Sequence, residues 1–384
     1  MKDFPQKLYQ KIEERKANNA LRQLGVQNDL IDFSSNDYLG FSKSETIFNS
    51  THEFLKAHNI SNNGSTGSRL LSGNHNLYNI VEDIIANFHN NENALVFNSG
   101  YDANLGFFSS VPQRGDVIIY DEFIHASIRD GIKMSNAKAY KFKHNNLKDL
   151  EQKCQTERSR IPFDAEIYIV TESIFSMDGN SPDLISIAQI CKNYNALFIV
   201  DEAHAIGVFG ENGVGMIQDL KLEQDIFARI ITFGKAMGCH GAAILGNKKL
   251  KQYLINFSRS FIYTTALPPH SLATIYSAYS ELSNTKNRSK LNKNITYFKA
   301  EIVNNKLQHI FIESNSAIHC CIISGNDKVK SISEKLQNSG FDVKPILSPT
   351  VPEGQERLRF CLHNFNSEND ISNVLQQLAT LVNI

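Results

Sequence analysis

The chain's 384 residues are characterised first by what they lack. No CxxC pair occurs among the six cysteines, Cys154, Cys191, Cys239, Cys320, Cys321 and Cys361, which are spread thinly along the sequence. That spacing argues against a zinc site or a disulfide framework and suits buried thiols in a reducing compartment. No charge of one sign prevails: 39 Lys and Arg stand against 40 Asp and Glu, a formal charge of -1, so no basic field recruits nucleic acid. The apolar runs are strand-sized and the N-terminal MKDFPQKLYQKIEERK is highly charged, so neither a membrane span nor a signal peptide is expected, and a soluble cytoplasmic protein is. A GxxxxGK[ST] phosphate loop is also missing; the nearest glycine-rich stretch, NGSTGSRLLSG at 63–73, has no lysine. Without that loop, the helicase-like letters Asp201, Glu202, Ala203 and His204 have no ATP to hydrolyse, and Asp201 is expected to hold something other than magnesium.

What is present is an alternation of helix and strand patterns. Residues 6–24 read as a charged amphipathic helix, followed by LIDFSSNDYLGF, strand-like and then turning. From NLYNIVEDIIANF (76–88, helical) onward come the strand patterns ALVF, DVIIYD, AKAYKF, EIYIVTES, ALFIVD, RIITFG and GAAILG. Helical HASIRDGIKMS and SPDLISIAQICKNYN lie between them, the latter with Ser181 as N-cap and Pro182 in the first turn. Short apolar strands separated by helices predict a mainly parallel sheet in a three-layer α/β domain. After residue 308 the texture changes to HIFIES, AIHCCIIS, a helix at 327–338, FDVKPIL, RLRFCLH and a closing helix, a smaller α+β unit. The expected divisions are an N-terminal arm (1–45), a large cofactor-binding domain (46–272) and a small C-terminal domain (273–384).

In such sheets ligands bind beyond the carboxyl ends of the strands. The polar residues there are Asn98 to Tyr101, Asp121 and His125, Glu172 to Ser176, Asp201 and His204, and Thr232 to Lys235. A strand-end carboxylate, Asp201, and a lysine at the next strand end, Lys235, suit a pyridinium nitrogen and a Schiff base. Lys235 lies among Gly234, Ala236 and Gly238, small residues that let backbone approach a planar ligand, and burial beside an apolar ring favours a neutral, nucleophilic amine. His125 either stacks on an aromatic cofactor or caps the next helix; His204 is placed to donate to a phenolic oxygen of the same ring. Ser99 and Gly100 at a strand-to-helix turn make a phosphate seat, with the Thr232 hydroxyl nearby. Together these parts describe pyridoxal 5'-phosphate, with no metal.

The blocks ALRQL (20–24), FSSNDYLG (33–40), GSTGSRLLSG (64–73), NSGYDAN, DEFIHASIRDG (121–131), ESIFSMDGNSPDL (172–184), DEAHAIGVFG, TFGKAMGCHGAA (232–243), IYTTALPP and PTVPEGQERLR (349–359) resemble the α-oxoamine synthases nearly end to end. The resemblance implies the fold of type I pyridoxal-phosphate transferases and the decarboxylative condensation of an amino acid with an acyl-CoA thioester. FSSNDYLG, IYTTALPP and PTVPEG look most like the member that joins L-alanine to a pimeloyl thioester; others take glycine or serine, and the same catalytic set serves them all. It further implies Lys235 as the Schiff-base lysine, Asp201 on the ring nitrogen, His125 on the ring face and His204 at the phenolic oxygen. Ser176 and Thr232 would touch the cofactor, with Gly100 and Tyr101 at its phosphate. Arg359, helped by Asn36, would grip the amino-acid carboxylate, and Arg22 and Thr350 would face the acyl-CoA. Members are homodimers, and Thr264 and Thr265 look like the segment reaching the neighbouring subunit's phosphate. The sequence departs from the family at Thr66, where glycine is commoner, and at Cys239 and His240, where small residues are frequent. A catalytically silent binding protein on the same fold is the alternative of another class, against which the joint presence of Lys235, Asp201, His125 and Arg359 argues.

Overall fold

The computed structural model describes residues 4–25 and 29–382; residues 1–3 and 26–28 of the expected N-terminal arm, and the last two of the expected C-terminal domain, lie outside the described residues. The chain forms two compact units, one of residues 36–176 and 181–288, the other of residues up to 35, 177–180 and from 289 on.

The larger unit is built on seven strands, here β1 (Asn93–Phe97), β2 (Val117–Asp121), β3 (Lys138–Phe142), β4 (Ile167–Glu172), β5 (Leu197–Asp201), β6 (Ala228–Thr232) and β7 (Ala242–Gly246). They lie in the order β1-β7-β6-β5-β4-β2-β3. The pairs from β6 through β5, β4 and β2 to β3 are parallel, while β7 runs antiparallel to both neighbours. Side chains alternate between two apolar layers. Ile118, Val170 and Ile199 pack with Phe107, Phe108, Ile128 and Leu250. Val117, Ile119, Ile169, Phe198 and Val200 pack with Leu150, Leu184 and Ile187. Burial on both faces explains the near-continuous apolar strands, and it confirms the three-layer, mainly parallel reading. β3 is the exposed edge, and its Lys138 and Lys141 guard it against further pairing.

Several helices differ from expectation. The first ends at Ala17 rather than 24, because Asn19 turns left-handed (φ 46°) and Ala20 N–H closes on Arg15 O at 2.8 Å. Helix Leu184–Asn193 is capped by Asp183, which accepts from Ser186 N–H, and not by Ser181. Helix Leu147–Arg158 was not expected, since only Leu147, Leu150 and Cys154 give its charged sequence an apolar stripe. The expected division at residue 272 falls inside helix Pro269–Leu282, whose Leu272, Ala273 and Ile275 are buried and which packs on helices Glu45–Ala57 and Asn76–Phe88. The larger unit comprises residues 36–176 and 181–288.

The smaller unit holds an antiparallel sheet in the order Lys344–Ile346, Arg357–Cys361, Ile318–Ile322, and a parallel pair of Ile31–Asp32 with Phe341–Asp342. HIFIES contributes only a bridge from Phe311 to Cys321. Arg357, buried, anchors the 177–180 segment within this unit by bonds to Met177 O (2.9 Å) and Asp178 Oδ1 (2.5 Å).

One ion pair of the larger unit is fully buried. Arg229 on β6 donates to Glu202, just past β5, and the same carboxylate accepts from Met216 N–H (2.7 Å) and Ile217 N–H (3.1 Å). Arg229 also donates to His89 O and Val214 O, so its donors are satisfied. Removing one partner of such a pair strands a charge in the core. Arg229→Met is expected to lower stability by about 3–5 kcal/mol, and the double variant Arg229→Met/Glu202→Leu to regain part of the loss. Urea-unfolding midpoints at fixed protein concentration check both; a neutral single variant would show that the pair carries no such load.

Candidate functional site

The carboxyl ends of β1, β6, β5, β4 and β2 lie along one edge of the sheet, and the residues that follow them enclose a cleft of about 190 Å³. Its walls include Gly100, Tyr101, His125, Asp201, His204, Thr232 and Lys235, seven of the residues singled out in the sequence. Asp201, buried at the end of β5, accepts from Asn104 Nδ2 on one oxygen (2.8 Å) and from Ala203 N–H on the other (2.9 Å). Asn104 also donates to Ser127 Oγ (3.0 Å), while its own Oδ1 is buried without a partner. Both oxygens of the carboxylate are thus held by residues of the cleft wall.

Lys235 Nζ stands 2.7 Å from His204 Nε2, and His204 Nδ1 stands 2.7 Å from the Tyr38 hydroxyl. Tyr38 gives its single proton to Asn36 Oδ1 (3.1 Å). It must then accept from His204 Nδ1–H, which leaves Nε2 as the acceptor facing the lysine, a donor-only group. In the cofactor-free protein His204 thus turns the Nε2 lone pair toward Lys235.

His125 caps helix Ala126–Met134, its Nδ1 accepting from Ser127 N–H, and stands in the cleft wall. Its backbone N–H donates to Glu172 Oε1 at 2.5 Å. Burial holds this imidazole below its ordinary value, Lys235 adding to the effect while Asp201 and Asp130 oppose it, so the ring is neutral near pH 7. Glu172 is pushed well above the usual carboxylate range, first by burial and then by the charge of Asp201.

Helix Gly100–Ser110 points its N-terminus at the cleft; Ser99 caps it, and a Cβ on Gly100 would meet Thr232 Oγ1 at 3.5 Å. Tyr101 is partly exposed and donates to Asp130 (2.7 Å). Asn98, at the exit of β1, binds Thr264 Oγ1 (3.0 Å) and Thr265 O (2.7 Å). Ser176 lies on the loop after β4 but not in the cleft wall. In the smaller unit Arg22 and Thr350 come together, Nη2 to Oγ1 at 3.4 Å, and Arg359 is buried on strand Arg357–Cys361. Asn104, Ser127, Glu172 and Tyr38 were not assigned from sequence. Glu172 had a signal as a strand-end residue, and Asn104 sits one helical turn after Gly100; Tyr38 is 166 residues from its partner and had none.

Residues 28–378 match the family model described as "Aminotransferase class I and II". The 8-amino-7-oxononanoate synthase of Emericella nidulans is 40% identical over 365 residues, covering 91% of this chain and 89% of that protein. The chain belongs to the α-oxoamine synthases. Among solved structures, the 8-amino-7-oxononanoate synthase of Francisella tularensis is 30% identical with a TM-score of 0.78, covering 93% of this chain and 99% of that one. A serine palmitoyltransferase from S. paucimobilis, solved with a PLP–myriocin aldimine bound, is 26% identical with a TM-score of 0.87, covering 99% and 98%. The fold type I architecture expected from sequence is that of these neighbours.

Against this α-oxoamine synthase frame, the departures acquire a physical description. Thr66 adopts φ +57°, a left-handed conformation that costs a β-branched residue about 1–2 kcal/mol and that glycine takes freely. Cys239 donates to Met237 O, and burial pushes its thiol up to about 12, which makes it unreactive; His240 is exposed. All six cysteines are free. Among the described residues no cluster of three or more His, Cys, Asp and Glu side chains is able to hold a metal, and no helix is long and apolar enough to cross a membrane.

The hydrogen-bond chain through Tyr38 predicts its own spectrum. In ¹⁵N-resolved NMR of the cofactor-free protein, His204 is expected as the Nδ1–H tautomer, and Tyr38→Phe is expected to mix the two tautomers and cost about 1–3 kcal/mol of stability. A wild-type His204 protonated on Nε2 instead would reverse the donor order derived above.

Proposed function

We propose that this protein is a pyridoxal 5'-phosphate-dependent acyltransferase that condenses L-alanine with pimeloyl-CoA to 8-amino-7-oxononanoate, CoA and carbon dioxide, as in biotin biosynthesis. The observation that carries the reading is one ring-sized cleft in which Lys235, Asp201, His125 and His204 converge, in a chain 40% identical to a protein of that name. Three features fit the cofactor. A space of about 150 Å³ admits benzene, so 190 Å³ admits a substituted six-membered ring. Asn104, whose Oδ1 is buried without a partner, is one of the residues lining the cleft. The close approach of Gly100 to Thr232 sets a helix N-terminus and a hydroxyl side by side, as a phosphate requires.

Pyridoxal 5'-phosphate, when bound, supplies an aldehyde for a Schiff base and a pyridinium ring that takes up the electron pair freed at Cα. Asp201, steered by Asn104, holds the proton on the ring nitrogen. His125 would cover one ring face, and His204 would stand at the phenolic oxygen. Gly100, Tyr101 and Thr232 would seat the phosphate. Lys235 would hold the cofactor through its Nζ, and the same amine, when free, would serve as the base that takes the Cα proton and the acid that returns one. Arg359 and Asn36 bind the amino-acid carboxylate, a task suited to a bidentate guanidinium, and Arg22 with Thr350 faces the thioester.

The working form in this reading is a cytoplasmic homodimer in which Thr264 and Thr265 reach the partner's phosphate. Leu71 and Tyr263, 85% and 73% exposed, support it as apolar surface that a second copy would cover, on segments joined by the bond from Ala266 N–H to Gly67 O. The serine palmitoyltransferase likeness supports a second reading with serine and a long-chain thioester. One methylene is worth only about 1–3 kcal/mol of discrimination, so the substrate is decided by assay.

Release of free CoA, followed with alanine plus pimeloyl-CoA, serine plus palmitoyl-CoA and glycine plus acetyl-CoA, is expected to be fastest for the first pair; preference for another reassigns the substrates within the family. Lys235→Ala is expected to lose more than about 10⁴-fold in kcat, because it removes both a general base and the covalent anchor. Borohydride reduction of the wild type is expected to leave a mass adduct on Lys235, and turnover by the alanine variant at the wild-type rate would end the assignment. Asp201→Asn is expected to fold normally and to lose about 10²- to 10³-fold.

A further inference from the structure

Asp121 ends β2 and is fully buried, yet it does not line the cleft. Its carboxylate accepts three bonds: Oδ1 from Phe123 N–H (2.8 Å) and His144 Nδ1 (2.9 Å), Oδ2 from Asn145 N–H (2.9 Å). Asn145 turns left-handed (φ 53°) on leaving β3, which accompanies the approach of its N–H to that oxygen. Two further bonds cross-link the same exits, Glu122 N–H to Phe142 O (3.0 Å) and His144 N–H to Glu122 Oε1 (3.1 Å).

The His144 ring itself is held between two aromatic side chains. It stacks on Phe123 at 4.5 Å and 26°, and meets Phe175 edge-on at 4.5 Å and 87°. Phe123 lies two residues before His125, and Phe175 one residue before Ser176. One imidazole thus touches both the turn that brings His125 to the cleft and the loop that follows β4, while contributing nothing to the cleft wall. A ring face must be held to about 0.5 Å and 10–20° to be useful, and a carboxylate–imidazole bond in a buried site is the sort of support that does so.

We propose that His144 is a positioning residue: bonded to Asp121 and packed between Phe123 and Phe175, it fixes the 121–125 turn so that the His125 ring lies flat on the cofactor. This rests on the reading above that His125 covers the ring face. It assigns the Asp121–His144 pair a task in the reaction, rather than in stability alone.

The test compares wild type, His144→Phe and His144→Asn as holoenzymes. Phenylalanine keeps an aromatic ring for the stack but cannot donate to Asp121; asparagine gives up the ring but places an N–H near the former Nδ1. His144→Phe is expected to retain its unfolding temperature within a few degrees. It is expected to weaken the visible circular dichroism of bound pyridoxal phosphate, and to lose about 10- to 100-fold in kcat with each KM changed less than about threefold. His144→Asn is expected to recover to within about fivefold of wild type. In cofactor-free protein, the His125 imidazole of His144→Phe is expected to titrate nearer its ordinary value as the turn loosens. Wild-type dichroism, kcat and His125 titration in His144→Phe would overturn the proposal, as would equal losses in both variants. If His144→Phe does not fold, Phe123→Leu, which keeps the Asp121 bond, takes its place with smaller losses in the same signals. A wild type that neither binds pyridoxal phosphate nor turns over would sink the functional reading instead, and the His125 titration would still report on the turn.

Discussion

The geometry of the cleft depends on a charge pair that never touches it. Glu202 follows Asp201 directly, and its carboxylate is held by Arg229 from the next strand and by two backbone N–H groups of the 216–217 turn. With Glu202 locked inward, strand alternation turns Asp201 toward the other side, where Asn104 receives it. Neighbouring residues of one strand end thus divide the work: one anchors the fold and the other is presented to a ligand. The cost of burying Arg229 and Glu202 is offset only because nearly every donor and acceptor of the pair is matched.

The cleft is polar, small and supported from outside by groups of defined hydrogen-bonding sense. Tyr38 sets the tautomer of His204, Asn104 sets the rotation of Asp201, and Glu172 pins the backbone at His125. Each supporting group fixes one atom of a residue in the cleft wall. Reaction chemistry then falls to side chains whose donors and acceptors are assigned before anything binds, which is how an active site avoids reorganising during a reaction.

How much of this was legible in the sequence follows from where the signal lies. Helix Asn76–Phe88 was read to the residue because Leu77, Val81 and Ile85 repeat with helical spacing and are all buried. The strand ends were legible because each apolar run stops at a polar residue, and this placed Asp201, His204, Thr232 and Lys235 in one cleft. Asn104 and Tyr38 were not, since an amide inside a helix and a tyrosine in a loop look like ordinary surface residues until tertiary contact selects them. The cap of Leu184–Asn193 was misplaced for a similar reason: Ser181 and Asp183 are both good caps by type, and only the bond to Ser186 decides between them.

The antiparallel strand β7 has a consequence for biosynthesis. It is inserted between β1 and β6, so among the described residues the first strand of the sheet pairs only with one that comes about 150 residues later in the chain. A ribosome-bound chain that has not yet exposed residue 246 holds Gly100 just beyond an unpaired strand, with nothing to align it against Thr232. Assembly of this half of the molecule is therefore a late, long-range event, and until it occurs the apolar face of β1 is a surface for chaperones to shield.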